Sequence, residues 1–321
     1  SRTPGWFEAR ITPERSLRKL QTLKKDVVWM IDTSESISER WIEPVKAGVS
    51  SALDSLNPGD RFNIVMFKDS VRVMRPQSMA EVTPETLAEA RRMLKGAEAS
   101  GYTDVNQALG RMLLRDIPAD RVYQIVMITD GKPTRGTIDP RRIINIITRE
   151  NNLAASIFCI GVGEQVDEEL LEFLAYRNKG FVEYPKSWVQ AAPAIREFAS
   201  RIRYPLMKNV SYGVVGVAPQ NVYPRVPRDI YQGQGLRLWG RYTNEDRFTV
   251  RMHGVNGEQS MEFTFTLSLK QAEIGGEQIA QDWAFARLHY LYSEMIRQGE
   301  TELIKEQIER LRKAYDLEAL Y

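Results

Sequence analysis

The sequence predicts an α/β domain built on a doubly wound, mostly parallel sheet, with a β-sandwich domain and C-terminal helices after it. Three observations predict it. From Asp26 to about Arg203, short apolar runs alternate with amphipathic stretches of helical length, the pattern of strands covered by helices on both faces. After Tyr204-Pro205 the helical period gives way to period-2 runs broken by turn residues, as in a small antiparallel sandwich. From Ile279 helical spacing returns and runs to Tyr315.

Each element follows from local chemistry. Val27-Val28-Trp29-Met30-Ile31 is a continuous apolar run, expected of a strand buried on both faces. Trp41 to Leu56 repeats apolar residues at helical spacing and stops at Asn57-Pro58-Gly59. Phe62–Phe67 reads as the next strand and Val71–Val73 as its hairpin partner. Helices fit Pro84–Leu94, Val105–Leu114, Pro140–Glu150, Glu168–Tyr176 and Trp188–Arg203, and strands fit Val122–Ile128, Ser156–Val162 and Phe181–Tyr184. In the later part, strands fit Lys208–Val215, Leu236–Tyr242, Arg247–His253 and Gln259–Leu269, with turns at Gly233-Gln234-Gly235, Asn244-Glu245-Asp246 and Asn256-Gly257. Two helices, Ile279–Arg297 and Thr301–Tyr315, split at Gln298-Gly299-Glu300. Trp6–Ile11 reads as a strand of the later sandwich. The expected organisation is therefore an N-terminal segment 1–23, the parallel-sheet domain 24–204, the sandwich 205–271 and a helical segment 272–321, with the second of these inserted into the sandwich.

Composition narrows the chemistry. Lys and Arg total 44 against 42 Asp and Glu, a net charge of +2, which gives no electrostatic case for nucleic acid as a partner. The single cysteine, Cys159, excludes an internal disulfide and a cysteine zinc site, and sits in an apolar run as core. His253 and His289 are too few for a three-histidine metal centre. No apolar run approaches the length of about 18 residues that a membrane span needs. Ser-Arg-Thr-Pro-Gly-Trp has neither the basic start nor the apolar core of a signal peptide. Lys24-Lys25 and Arg141-Arg142 read as solvated faces, and Trp283, Phe285, Leu288, Tyr290 and Leu291 as a helix packed on the sandwich.

Three small clusters fall where apolar strands end. Val27–Ile31 runs into Asp32-Thr33-Ser34-Glu35-Ser36, the loop before Val105 carries Gly101-Tyr102-Thr103-Asp104, and Val122–Ile128 ends in Thr129-Asp130-Gly131. In a doubly wound sheet the carboxyl ends of the strands share one edge, where ligands bind. Hydroxyls and carboxylates suit a hard cation, which takes about six oxygen ligands. Ser34, Ser36 and Thr103 offer neutral hydroxyls, and Asp32 and Asp130 supply negative charge directly or through water. With few anions in contact, such an ion stays electrophilic and accepts an outside carboxylate. Alone, Ser36 reads equally well as a helix N-cap, and Asp104 as a cap rather than a ligand.

The Asp-x-Ser-x-Ser, Thr and Asp trio resembles the metal-ion-dependent adhesion site of von Willebrand factor type A domains, over about Lys24 to Arg203. Glu35 departs from the pattern, standing where a small residue is common. Pro4-Gly5-Trp6-Phe7-Glu8-Ala9-Arg10, Val222-Tyr223-Pro224, the stretch Gly235–Tyr242, Trp283-Ala284-Phe285-Ala286-Arg287 and Tyr315 further resemble inter-alpha-trypsin inhibitor heavy chains and their bacterial relatives. The resemblance implies a Rossmann-like sheet and metal contact by Ser34, Ser36 and Thr103, with Asp32 and Asp130 acting directly or through water. It implies Mg²⁺ or Mn²⁺ ahead of Ca²⁺, and a protein partner presenting an Asp or Glu carboxylate. It also implies an upstream VIT domain in the full-length protein and an extracellular, periplasmic or cell-surface setting. The expected function is a metal-dependent binding module, not an enzyme. Two alternatives stand beside it: a metal-dependent hydrolase using Glu35 or an aspartate as base, and a module whose metal is purely structural.

Overall fold

The computed structural model describes residues 4–12, 20–113 and 117–320. The chain divides into two compact units, one of Thr22–Pro205 and the other of the residues up to Gln21 together with Leu206–Tyr321. In chain order, β1 (Gly5–Ile11) belongs to the second of these. The unit 22–205 then runs β2 (Lys24–Asp32), α1 (Ser38–Leu53), β3 (Arg61–Phe67), β4 (Val71–Val73), β5 (Ala80–Glu81), α2 (Pro84–Lys95), α3 (Val105–Met112), β6 (Arg121–Thr129), α4 (Pro140–Asn151), β7 (Ala155–Gly161), α5 (Glu168–Arg177), β8 (Val182–Glu183) and α6 (Trp188–Arg201).

Its sheet has the order β4-β3-β2-β6-β7-β8, with β5 paired to β3. The pairs β2/β3, β2/β6, β6/β7 and β7/β8 are parallel, and only β4 and β5 run antiparallel to their neighbour. Helices on both faces explain why β2, β6 and β7 are almost wholly buried and read as unbroken apolar runs. Register sets the site. Asp32 lies opposite Phe67, Ile31 opposite Ile128, and Thr129 opposite Gly161, so four strands end together at one edge. Asp104, Asp139 and Asp167 cap α3, α4 and α5, each accepting from backbone N–H groups in the first turn.

Lys25 is not on a solvated face. It is buried and ion-paired to Asp60, with its Nζ also donating to the Arg203 carbonyl at 3.0 Å. Beside it, Asp26 takes Arg61 and Arg121. These charges start a strand that is covered on both faces, so they must meet partners inside the protein. Arg142 is exposed and Arg141 half-buried against Glu169. The helix at 105 ends at Met112, and its expected last residue, Leu114, lies outside the described residues, as does 13–19 of the N-terminal segment. Strands β5 and the two-residue pieces below have too few residues to show a period.

In the other unit, β9 (Pro205–Val215), β10 (Val222–Tyr223), β11 (Ile230–Tyr231), β12 (Leu236–Tyr242), β13 (Arg247–Asn256) and β14 (Gln259–Ser268) precede α7 (Gln278–Gln298) and α8 (Glu302–Tyr315). They form a three-stranded sheet, β1-β12-β10, and a four-stranded sheet, β11-β9-β13-β14. Phe7, Ala9 and Ile11 of β1 join Leu238, Val250 and Met252 in one apolar cluster. On α7, Trp283 is buried, donates to the Asn221 carbonyl at 2.8 Å and packs on Tyr315. Phe285 does not pack there: it is 49% exposed, because it lies off the face shared by Trp283, Leu288 and Leu291. Among the described residues, no helix is long and apolar enough to cross a membrane.

Candidate functional site

The loops after β2 and β6, and the loop before α3, are stitched together at the carboxyl edge of the sheet. Asp32 accepts from the Ser34 amide at 2.9 Å through one carboxylate oxygen and from the Thr129 hydroxyl at 2.5 Å through the other. The Ser34 and Ser36 hydroxyls lie 3.0 Å apart, and Ser36 hydrogen-bonds the Asp130 side chain. Asp130 also accepts from the Lys132 amide at 3.1 Å. Gly131, at φ +72, makes the turn that lets its amide return to the Thr129 hydroxyl at 2.9 Å.

The Thr103 loop is tied to both sides. The Ser100 amide donates to Thr33 O at 2.9 Å, and the Glu35 amide to Gly101 O at 3.1 Å. Thr103 N donates to the Thr134 hydroxyl at 2.8 Å, while Thr134 N and Arg135 N donate back to Thr103 O at 3.0 and 3.1 Å. Asp32, Ser34, Thr103 and Asp130 are buried, whereas Ser36 and Glu35 are exposed. Ser36 is not a helix cap. It sits inside a 3-10 turn, Glu35–Ile37, because the chain tightens there before α1 begins at Ser38. Asp104 is the N-cap of α3, accepting from the Gln107 amide at 2.9 Å.

Burial pushes the Asp32 carboxyl up to about 7, against the hydrogen bonds from Thr129 and Ser34, and the Asp130 charge adds to the rise. Burial likewise raises Asp130, opposed by Ser36, the Lys132 amide and the Lys132 charge. Among the described residues neither carboxylate has an ion-pair partner. Nor do three or more His, Cys, Asp or Glu side chains cluster as a metal site among the described residues, so a cation here would depend on hydroxyl oxygens. Cys159 is fully buried and its thiol is pushed up by burial, and both histidines belong to the other unit.

Sequence reading passed over two residues of this cluster. Thr129 bridges Asp32 to the Gly131 turn, and Thr134 positions Thr103. Thr129 is the polar end of the apolar run before Asp130, and that adjacency is its signal in the sequence. Thr134 has no comparable signal, since its partner is 31 residues away.

A doubly wound sheet with this loop arrangement defines a von Willebrand factor type A fold, and residues 25–184 match the sequence family described as von Willebrand factor type A domain. The chain is similar in sequence to inter-alpha-trypsin inhibitor heavy chains. It is 29% identical to human heavy chain H4 over 279 residues, 84% of this chain and 30% of that one. It is 30% identical to human heavy chain H6 over 221 residues, 64% of this chain and 17% of that one. The chain thus spans about a third of H4 and less of H6. Among solved structures, a von Willebrand factor type A protein from Catenulispora acidiphila shares the fold with a TM-score of 0.62 and 15% identity, covering 97% of this chain and 89% of that one. The ArnB paralog VWA2 from Sulfolobus acidocaldarius does so with a TM-score of 0.57 and 17% identity, covering 98% and 85%.

Proposed function

We propose that this chain is a metal-dependent binding module that captures an Asp or Glu side chain of a protein partner through Mg²⁺ or Mn²⁺ at the carboxyl edge of its parallel sheet. The observation that carries the reading is a pair of buried carboxylates, Asp32 and Asp130, with serine hydroxyls beside them and, among the described residues, no ion pair to either, the Lys132 charge acting on Asp130 only from a distance. Buried charges are ordinarily matched by a counter-charge or a metal. The donors are all oxygen, which suits a hard cation. Ser34, Ser36 and Thr103 would hold the cation through their hydroxyls, with Asp32 and Asp130 directly or through water. When bound, it supplies the electrophile for an incoming carboxylate.

The same reading extends to the rest of the chain. The two antiparallel sheets act as a sandwich spanning 205–271 and completed by the segment 1–23, with 24–204 inserted and 272–321 as its helical cover. The shared apolar cluster and the β1/β12 pairing support this. Kinship with the heavy chains supports an upstream VIT domain and an extracellular, periplasmic or cell-surface setting.

Calorimetric titration of chelator-treated protein with Mg²⁺ and Mn²⁺, with and without acetate, tests the site. Saturable binding is expected in the unaltered chain and none with Asp130→Ala. Silence in the unaltered chain, or binding that survives the substitution, overturns the reading.

A further inference from the structure

In the unit 22–205, exposed large apolar side chains are few among the described residues: Tyr102, Ile138, Leu153, Trp188 and Val189. Tyr102 is 62% exposed, yet it precedes the buried Thr103. Every neighbour of Tyr102 is pinned. Ser100 and Gly101 are bonded to the Asp32 loop, Thr103 to the Asp130 loop, and the Asp104 amide to Lys68 O at 3.1 Å. The backbone therefore holds one largely exposed aromatic ring next to Thr103, at the rim of the proposed cation site.

Ile138, also 62% exposed, lies on the loop that follows Asp130. That loop is pressed against the Tyr102 loop. Gly136 sits at φ +71, and a Cβ there would come within 2.5 Å of the Asp104 carboxylate, so only glycine permits the approach. Thr134 and Arg135, on the same loop, make the bonds to Thr103. Two cations accompany the apolar pair. Arg135 is exposed, its nearest carboxylate being Asp69 at 3.8 Å, and Lys132 donates to Gln165 at 2.7 Å.

We infer that Tyr102, with Ile138 on the loop bonded to its own, is a specificity-determining rim contact: it seats a large apolar side chain next in sequence to the partner carboxylate. The occupant is an extended acidic peptide segment whose Asp or Glu adjoins an aromatic or large aliphatic residue. Lys132 and Arg135 complement its negative charge. A pinned backbone with an amphipathic ring loses little entropy on binding, which is why tyrosine serves as an interface anchor. The inference rests on the cation site proposed above, and its test separates the two.

The probes are Mn²⁺ alone, acetylated aspartate amide, and the acetylated dipeptide amides Asp-Phe and Phe-Asp, titrated into the full chain and into Tyr102→Ala and Tyr102→Phe. Mn²⁺ affinity and aspartate-amide affinity should be unchanged in both variants. At least one dipeptide should bind the Mn²⁺-loaded unaltered chain about tenfold more tightly than aspartate amide, the scale of one anchor residue. Tyr102→Ala should remove that advantage and Tyr102→Phe should keep it. If Mn²⁺ and aspartate amide bind but neither dipeptide gains, or the gain survives Tyr102→Ala, the Tyr102 role is overturned and the cation site stands. If Mn²⁺ does not bind the unaltered chain, both fall.

Discussion

The two edges of the parallel sheet treat buried carboxylates in opposite ways. At the amino edge, Asp60 is met by Lys25, and Asp26 by Arg61 and Arg121 at 2.5 and 2.8 Å. At the carboxyl edge, Asp32 and Asp130 are buried to the same depth, and among the described residues neither is paired. A buried ion costs on the order of several kcal/mol unless its charge is met nearby. The amino edge meets that cost inside the chain. The carboxyl edge offsets it with hydroxyls, amides and the charge of Lys132 at a distance, and the proposed cation would supply the rest. Burial of an aspartate therefore does not separate structure from function here. What separates the two edges is whether the carboxylate is held in a side-chain ion pair.

The sharpest way to break this contrast is to remove one carboxylate from each edge and measure urea unfolding in chelator. Asp60→Ala strands the Lys25 ammonium in the interior and should destabilise the unit by about 3–5 kcal/mol. Asp130→Ala removes a buried carboxylate that has no ion pair among the described residues and should change cation-free stability by less than about 1 kcal/mol, or raise it. Equal losses at the two sites would show that Asp130 is a structural partner like Asp60.

The sequence made one edge legible and hid the other. Asp32, Ser34, Ser36 and Asp130 follow recognisable apolar runs, so topology brings their loops to one edge, whereas Thr103 lies between two helices and its place there follows from the resemblance. The Lys25–Asp60 pair gave no such sign. Lys25 follows another lysine at the start of a strand, and its partner is 35 residues on, so only the parallel register of β2 and β3 reveals that both are enclosed. Phe285 failed for the complementary reason. Five large side chains within nine residues of α7 cannot all face inward on a helix, and composition does not say which one faces out.

A second contrast between the edges is their response to pH. The Asp32 carboxyl, raised from 3.8 to about 7 by burial, binds its proton more tightly in the folded chain than in the unfolded one. Its contribution to cation-free stability is thus fully present below about pH 4 and is lost as pH rises through about 7. A cation must displace that proton, so its affinity should fall about tenfold per unit as pH drops below 7. The rise in melting temperature on adding Mg²⁺ should be small at pH 5 and large at pH 8. A cation-induced rise that is the same at both values would mean that Asp32 is already ionised, or does not contribute. Asp32→Asn should flatten the dependence.

The smallest expected effect probes how the carboxyl edge is held rather than what it binds. Thr134 offers no oxygen to the proposed cation; it accepts from Thr103 N at 2.8 Å, while its own backbone amide and that of Arg135 hold Thr103 O. Thr134→Ala removes one of these three restraints from a loop that solvent can reach. Stability should fall by about 1 kcal/mol or less, the net worth of one such hydrogen bond. The more telling readout is Mn²⁺ affinity, which should weaken severalfold because the Thr103 hydroxyl is positioned by the backbone that Thr134 restrains. Thr134→Ser keeps the acceptor and should restore the affinity. If Thr134→Ala lowers stability but leaves Mn²⁺ binding untouched, the two backbone bonds to Thr103 O suffice, and the edge is set by main-chain register as rigidly as the paired charges set the other.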